Sequence, residues 1–194
     1  MIRYGHMEFI TQFKTIIIII HAFAGAIGIG ATTVTDTLFF KFLSDRVVTA
    51  GEKDIMDMLS KILWTALLVL IVSGVLIFAS DTTRYLASSK FLVKVVIVGI
   101  IFLNGILLST YLGPRLERLR FDTRQSVAQY PWFKRIAFAS GVVSISSWYG
   151  AFLLGLVPSI PLSFVQGLLI YILILLIGGA ISQVVLGRFS RIKD

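Results

Sequence analysis

The sequence predicts an all-α fold, a polytopic integral membrane bundle of five transmembrane helices with its N-terminus outside and its C-terminus cytoplasmic. Three observations lead there. Of the 194 residues, 57% are hydrophobic and only 14% are charged; the mean hydropathy of +0.91 is too high for a soluble domain. Five stretches reach the roughly 20 apolar residues that a helix needs to cross the hydrocarbon core, at about 15–40, 58–79, 91–112, 136–157 and 162–186. Thirteen of the 18 Lys and Arg residues fall on one side of these spans and five (Arg3, Lys14, Arg84, Lys90, Lys94) on the other. That asymmetry places the richer side in the cytoplasm. It also makes the net charge of +8 a topology signal, with anionic lipid as the secondary contact and nucleic acid set aside.

The first span begins after Lys14, and apolar residues at helical spacing carry it past the bilayer toward Ser44-Asp45. No cleavable signal peptide is read here, because the apolar run is long and no small-residue cleavage site follows a short core. Gly5-His6-Met7 reads as the remnant of a cloning site, with Met7 as the expected natural start. Thr49-Ala50-Gly51-Glu52 is a capping-box pattern, so the second helix is expected to start well before its membrane portion. Ser88-Ser89 supplies the N-cap of the third span, and Gly113-Pro114 is expected to end it. Residues 115–135 alternate basic with apolar side chains and read as an interfacial segment, with Tyr130 and Trp132 anchoring the fourth span at the headgroups. From Arg135 to Arg188 there is no charge, a gap too long for one span, which Pro158-Ser159-Ile160-Pro161 divides into two. No repeat or linker interrupts residues 1–194, which are read as one membrane domain.

Candidate chemistry falls into two layers. At 100° per residue, His21, Gly25, Gly28, Thr32 and Asp36 share one stripe of the first helix, and an ionisable group within a span usually faces a protein interior. Counting from the ends of the spans, Lys94 lies near the level of His21, with Ser73, Trp148 and Tyr149 in the same half or near the midplane. For this layer a b-type haem is the expectation. Imidazole commonly ligates haem iron and helix bundles build such sites in their cores, so His21 is the candidate metal ligand. Gly25 and Gly28 would leave room for the macrocycle, Trp148 and Tyr149 would pack beside it, and Lys94 is the candidate opposite ligand. The alternative is a lone histidine hydrogen-bonded across a glycine-rich packing face. The second layer comprises Asp36, Lys61, Asn104 and Gln183. There an Asp36–Lys61 ion pair would act as a latch at the headgroup level.

His21 in the first span, Ser73-Gly74 in the second, Ser89-Lys90-Phe91-Leu92-Val93-Lys94 opening the third and Gly113-Pro114-Arg115-Leu116 closing it resemble a group of small bacterial membrane proteins. They are the copper-resistance protein D type proteins and the related haem-containing membrane protoporphyrinogen oxidases. The resemblance covers about residues 15–116. It implies the bacterial cytoplasmic membrane and, on the oxidase pattern, a functional pair mapping onto His21 and Lys94. After the histidine the chain departs from that pattern, reading Gly30-Ala-Thr-Thr-Val-Thr-Asp36 where the oxidases are aromatic and arginine-rich.

No Met/His cluster suits a soft copper ion, and the absence of cysteine excludes thiolate and iron–sulfur sites. Catalytic triads, HExxH, P-loops and dinucleotide glycine motifs are absent too. Three readings stay open. One is a haem redox protein exchanging electrons with a quinone or a partner protein. Another is a small channel or transporter using His21, Thr32 and Asp36. The third is a structural subunit, as a homo-oligomer or within a larger complex.

Overall fold

The computed structural model describes residues 2–45, 50–115 and 131–191. Six α-helices follow one another: α1 (Ile2–Asp45), α2 (Ala50–Ser80), the short α3 (Thr82–Leu86), α4 (Ser89–Ile106), α5 (Pro131–Leu156) and α6 (Phe164–Arg191). No strand occurs among the described residues. Five helical segments are long and apolar enough to span a membrane: Phe13–Phe39, Gly51–Ser80, Ser89–Arg115, Arg135–Leu156 and Phe164–Val184. This is the expected multi-pass all-α architecture, and each boundary lies close to its expected place except the start of the second, which is seven residues earlier. Helices suit such sequences because every backbone N–H and C=O is satisfied within the segment, as the bilayer interior demands. Several hydroxyls inside the spans likewise donate back to carbonyls one turn earlier, as Thr37 does to Thr33 (2.6 Å) and Thr65 to Lys61 (2.8 Å).

The connections follow from local chemistry. Asp81 caps α3 by accepting from the Arg84 N–H at 3.2 Å, a short helix that hydropathy alone does not reveal. Ser88 caps α4 as expected, accepting from the Phe91 N–H at 3.4 Å. Between α5 and α6 the two prolines hold residues 157–163 out of helix. Ser163 and Gln166 then close a reciprocal capping box, 2.9 Å from the Ser163 N–H to Gln166 Oε1 and 3.3 Å from the Gln166 N–H to Ser163 Oγ. The capping box expected at Thr49 and most of the basic segment at 115–135 lie outside the described residues.

Gly113-Pro114 does not end the third span. The chain leaves α4 through a π-helical turn, Leu107–Leu112, and remains helical over residues 113–115. Proline has no N–H to give the carbonyl one turn back, and its ring crowds that carbonyl. Widening the helix just before it resolves the conflict: the Gly113 N–H reaches Leu108 O, five residues back. Ser109 and Thr110 hydroxyls donate to Gly105 O (2.8 Å) and Ile106 O (2.7 Å).

The least apolar span organises the bundle. Arg135–Leu156 has a mean hydropathy of 1.4, yet 44% of it is buried, against 11–22% for the other four. Ala137, Ser140, Gly141, Ser144, Ser147 and Ala151 put small residues on its buried face, and small residues let helices approach without relying on a solvent-driven hydrophobic effect. α1, α4 and α6 all pack on α5. On the α6 side the Tyr171 hydroxyl donates to Ser147 Oγ at 2.7 Å, Ser147's own proton going to Val143 O. α1 also packs along α2, and α4 against α6. Although consecutive spans, α2 and α4 approach far less closely than these pairs. Side chains bridge them, notably Trp64, which meets Phe102 edge-on at 5.7 Å. The broad apolar faces, such as Leu68 and Leu103, are exposed and suit contact with lipid chains.

Candidate functional site

The expected stripe on α1 is its buried face: Gly28, Thr32 and Asp36 are buried and His21 and Gly25 half-buried. Its members separate into two places, because His21 and Asp36 are fifteen residues apart, about 22 Å along the axis.

Around His21 the partners come from α2. His21 Nδ1 lies 2.8 Å from Ser73 Oγ. The Ser73 hydroxyl proton is directed to Val69 O, so Nδ1–H is the donor and Nε2 keeps the lone pair. Gly74 lies beside the ring, where a methyl group would meet the His21 Cε1 at 3.5 Å, an ordinary contact. Gly25 faces Leu70 of α2. Lys94 on α4 is near enough to act electrostatically on His21, and its ammonium rests against Gly155 of α5.

Gly28 packs directly against α5. A Cβ there would overlap the Trp148 ring, so only glycine fits with the indole seated where it is. This corrects one expectation: the space at Gly28 is filled by Trp148 rather than left for a flat ligand. Tyr149 is half-exposed and donates to Thr33 Oγ1 at 2.9 Å, Thr33's proton being directed to Ile29 O, so it faces away from His21's partners. As arranged, the residues do not fit a haem held between Gly25, Gly28 and Trp148. Among the described residues, no three His, Asp or Glu side chains gather as a metal site.

At the other end of the stripe lies a cavity of about 280 Å³, at the lower edge of the roughly 300–1,000 Å³ usual for small-molecule sites. It occupies the space left where α2 and α4 diverge. α1 contributes Thr35, Asp36 and Phe39, α2 runs from Lys53 to Leu67, and α5 supplies Gly141, Ser144 and Trp148. The fourth wall is the end of α4 with the π-helical turn, Gly113 and Pro114. Lys53 and Asp57, on the first turns of α2, mark the mouth. Leu67, Ile101 and Trp148, members of one packed apolar cluster, form the floor. Trp148 thus stands between the cavity and the His21 layer, its seat Gly28 midway along the stripe.

Asp36 is only 6% exposed. Ser144 hydrogen-bonds its carboxylate, while Oδ2 has no partner. The hydroxyls of Thr32 and Thr35 beside it are also buried without partners. Buried polar atoms are normally paired, and two of these three, on Thr35 and Asp36, belong to residues on the cavity wall, which suits a polar guest.

The four-residue polar cluster expected around Asp36 does not form. Lys61 is exposed and not paired with Asp36, because residue 61 points away from the α1–α2 contact that carries Asp36. Among the described residues, Lys41 and Glu52 form an ion pair between these helices at 3.4 Å. Asn104 lines the cavity but is held by α5, its Nδ2–H donating to Ser140 O at 3.1 Å and its Oδ1 accepting from Ser140 Oγ at 2.7 Å. Gln183 donates to Arg135 O at 3.4 Å, outside the cavity. Ser144, Trp64, Thr35 and the π-helical turn were not anticipated. The serines at 140, 144 and 147, recurring every three to four residues, are the signal that marks this face of α5.

No protein-family model, no curated protein and no solved structure matches the chain.

Proposed function

We propose that this multi-pass membrane protein binds a small polar solute in the Asp36 cavity and works as a transporter or channel. One observation carries the reading: a buried carboxylate with an unpartnered oxygen stands on the wall of a cavity between the two least closely packed neighbouring spans. An intramembrane carboxylate is costly to keep and typically marks a substrate or ion path. In this reading Ser144 holds one carboxylate oxygen in place and the other is left for the solute. Thr35, on the cavity wall, offers a hydroxyl that can donate or accept. The π-helical turn, a geometry frequent at functional sites, supplies a wall able to shift. Trp148 on Gly28 blocks the way toward His21, so passage requires that ring to move.

Swelling of vesicles containing the purified protein, followed by light scattering, tests this with glycerol, urea and methylammonium. At least one solute should enter faster than into protein-free vesicles, and Asp36→Asn should abolish the difference while Lys61→Met keeps it. Equal rates with and without protein for all three would overturn the reading.

The haem expectation now rests on His21, with Nε2 as its remaining nitrogen, and on Lys94 nearby. Its check is the visible spectrum of the purified protein, oxidised and then reduced with dithionite. A stoichiometric Soret band that disappears in His21→Ala would put the redox reading first.

A further inference from the structure

We infer that the solute of the Asp36 cavity is a small organic ammonium ion, an inference that rests on the solute-binding reading above. The charge comes first. Asp57 and Lys53 at the rim offset each other and Asp36 leaves the lining acidic; its unpartnered Oδ2 would be left without a partner by an anion and less well matched by a neutral solute than by a cation. The walls come second. Trp64 lies across the α2–α4 gap over Gly105, where a Cβ would sit 3.4 Å from its ring, and Trp148 closes the floor; both line the cavity. Tryptophan faces are the strongest aromatic partners for a cation, and organic ammonium ions are the ligands that combine a carboxylate with such rings. Size comes third. A divalent ion is usually held by several carboxylates, and no three His, Cys, Asp or Glu side chains gather among the described residues. A hydrated one would gain nothing from Leu63, Leu67, Ile101 and Leu108 on the same walls. An alkylammonium ion uses all three features, its charge on Asp36 and its carbons on the apolar and indole surfaces.

The test is a titration of intrinsic fluorescence on the full chain in lipid nanodiscs, in a Trp132→Phe background. Trp132 is exposed and outside the cavity, so the remaining signal reports Trp64 and Trp148. Tetramethylammonium chloride should give a saturable change, with potassium chloride at equal ionic strength and glycerol giving none. Asp36→Asn should weaken the apparent affinity at least about tenfold, and Trp64→Leu by about three- to thirtyfold, read from Trp148 alone. The two variants are independent, so a failure of one to fold leaves the other decisive. A saturable response to glycerol or potassium that tetramethylammonium does not share would overturn the ammonium inference and keep the cavity reading. If no probe responds, the thiol of Ser60→Cys, unique in a chain without cysteine, separates the cases. Reaction with a small maleimide would show an open cavity and leave the ammonium inference overturned, whereas an inert thiol would overturn both.

Discussion

At the scale of single residues, Gly28 and Asp36 carry the most information. A methyl group at residue 28 must displace an indole packed between two helices, and overpacking of this kind costs about 1–3 kcal/mol. Gly28→Ala should therefore lower Tm in detergent, while Gly30→Ala, where an added Cβ meets nothing within 4 Å, should leave it unchanged or slightly raised. Asp36 should behave in the opposite sense. Lys61 does not pair with it, so Asp36→Asn removes a buried charge without orphaning a cation, and Tm should hold or rise by up to about 2 kcal/mol equivalent. A fall of similar size would mean that the carboxylate has a structural partner after all. Ser73→Ala takes one acceptor from His21 and leaves the Leu70 backbone, so it should cost at most about 1 kcal/mol, measurable in the same melts. The stripe joining His21 to Asp36 was readable in the sequence because helical periodicity is local. What stands opposite it was not, because the pairing of Asp36 with Ser144 and of Gly28 with Trp148 depends on the relative register of α1 and α5.

At the scale of elements, apolar runs, the Ser88 cap and the Pro158–Pro161 break were legible because each acts within a few residues. Gly113-Pro114 was misleading for a physical reason. Glycine followed by proline ordinarily stops a helix, but a helix that has already widened by one residue can carry the proline onward. Pro114→Ala restores an N–H and removes the clash that the wide turn relieves. Amide exchange should then slow around Leu107–Leu112 as the turn regains α geometry, and unchanged exchange would assign the turn to the packing of Leu112 in its apolar cluster instead. Lys90 ties the start of α4 to the end of α5, donating to Val157 O at 2.6 Å and Pro158 O at 3.3 Å. Lys90→Met should cost about 0.5–1 kcal/mol through the loss of this cap on exposed carbonyls.

At the scale of the whole molecule, the charge asymmetry predicts that a reporter fused after Asp194 is cytoplasmic; export of that reporter would reverse the orientation. The pattern of helix contacts has a further consequence, for how the chain is made. α1 and α2 pack on each other, α4, α5 and α6 pack among themselves, and the main seam between the groups is α1 on α5. The first pair leaves the ribosome and enters the bilayer as a hairpin before its eventual partners exist, since domains emerge in order during synthesis. The pocket, whose walls come from both groups, can arise only when the later trio docks on that hairpin. Fragments 1–87 and 88–194, expressed together as separate chains, should therefore find each other in the membrane and co-purify, and Gly28→Leu should prevent that reunion by closing the notch into which Trp148 fits.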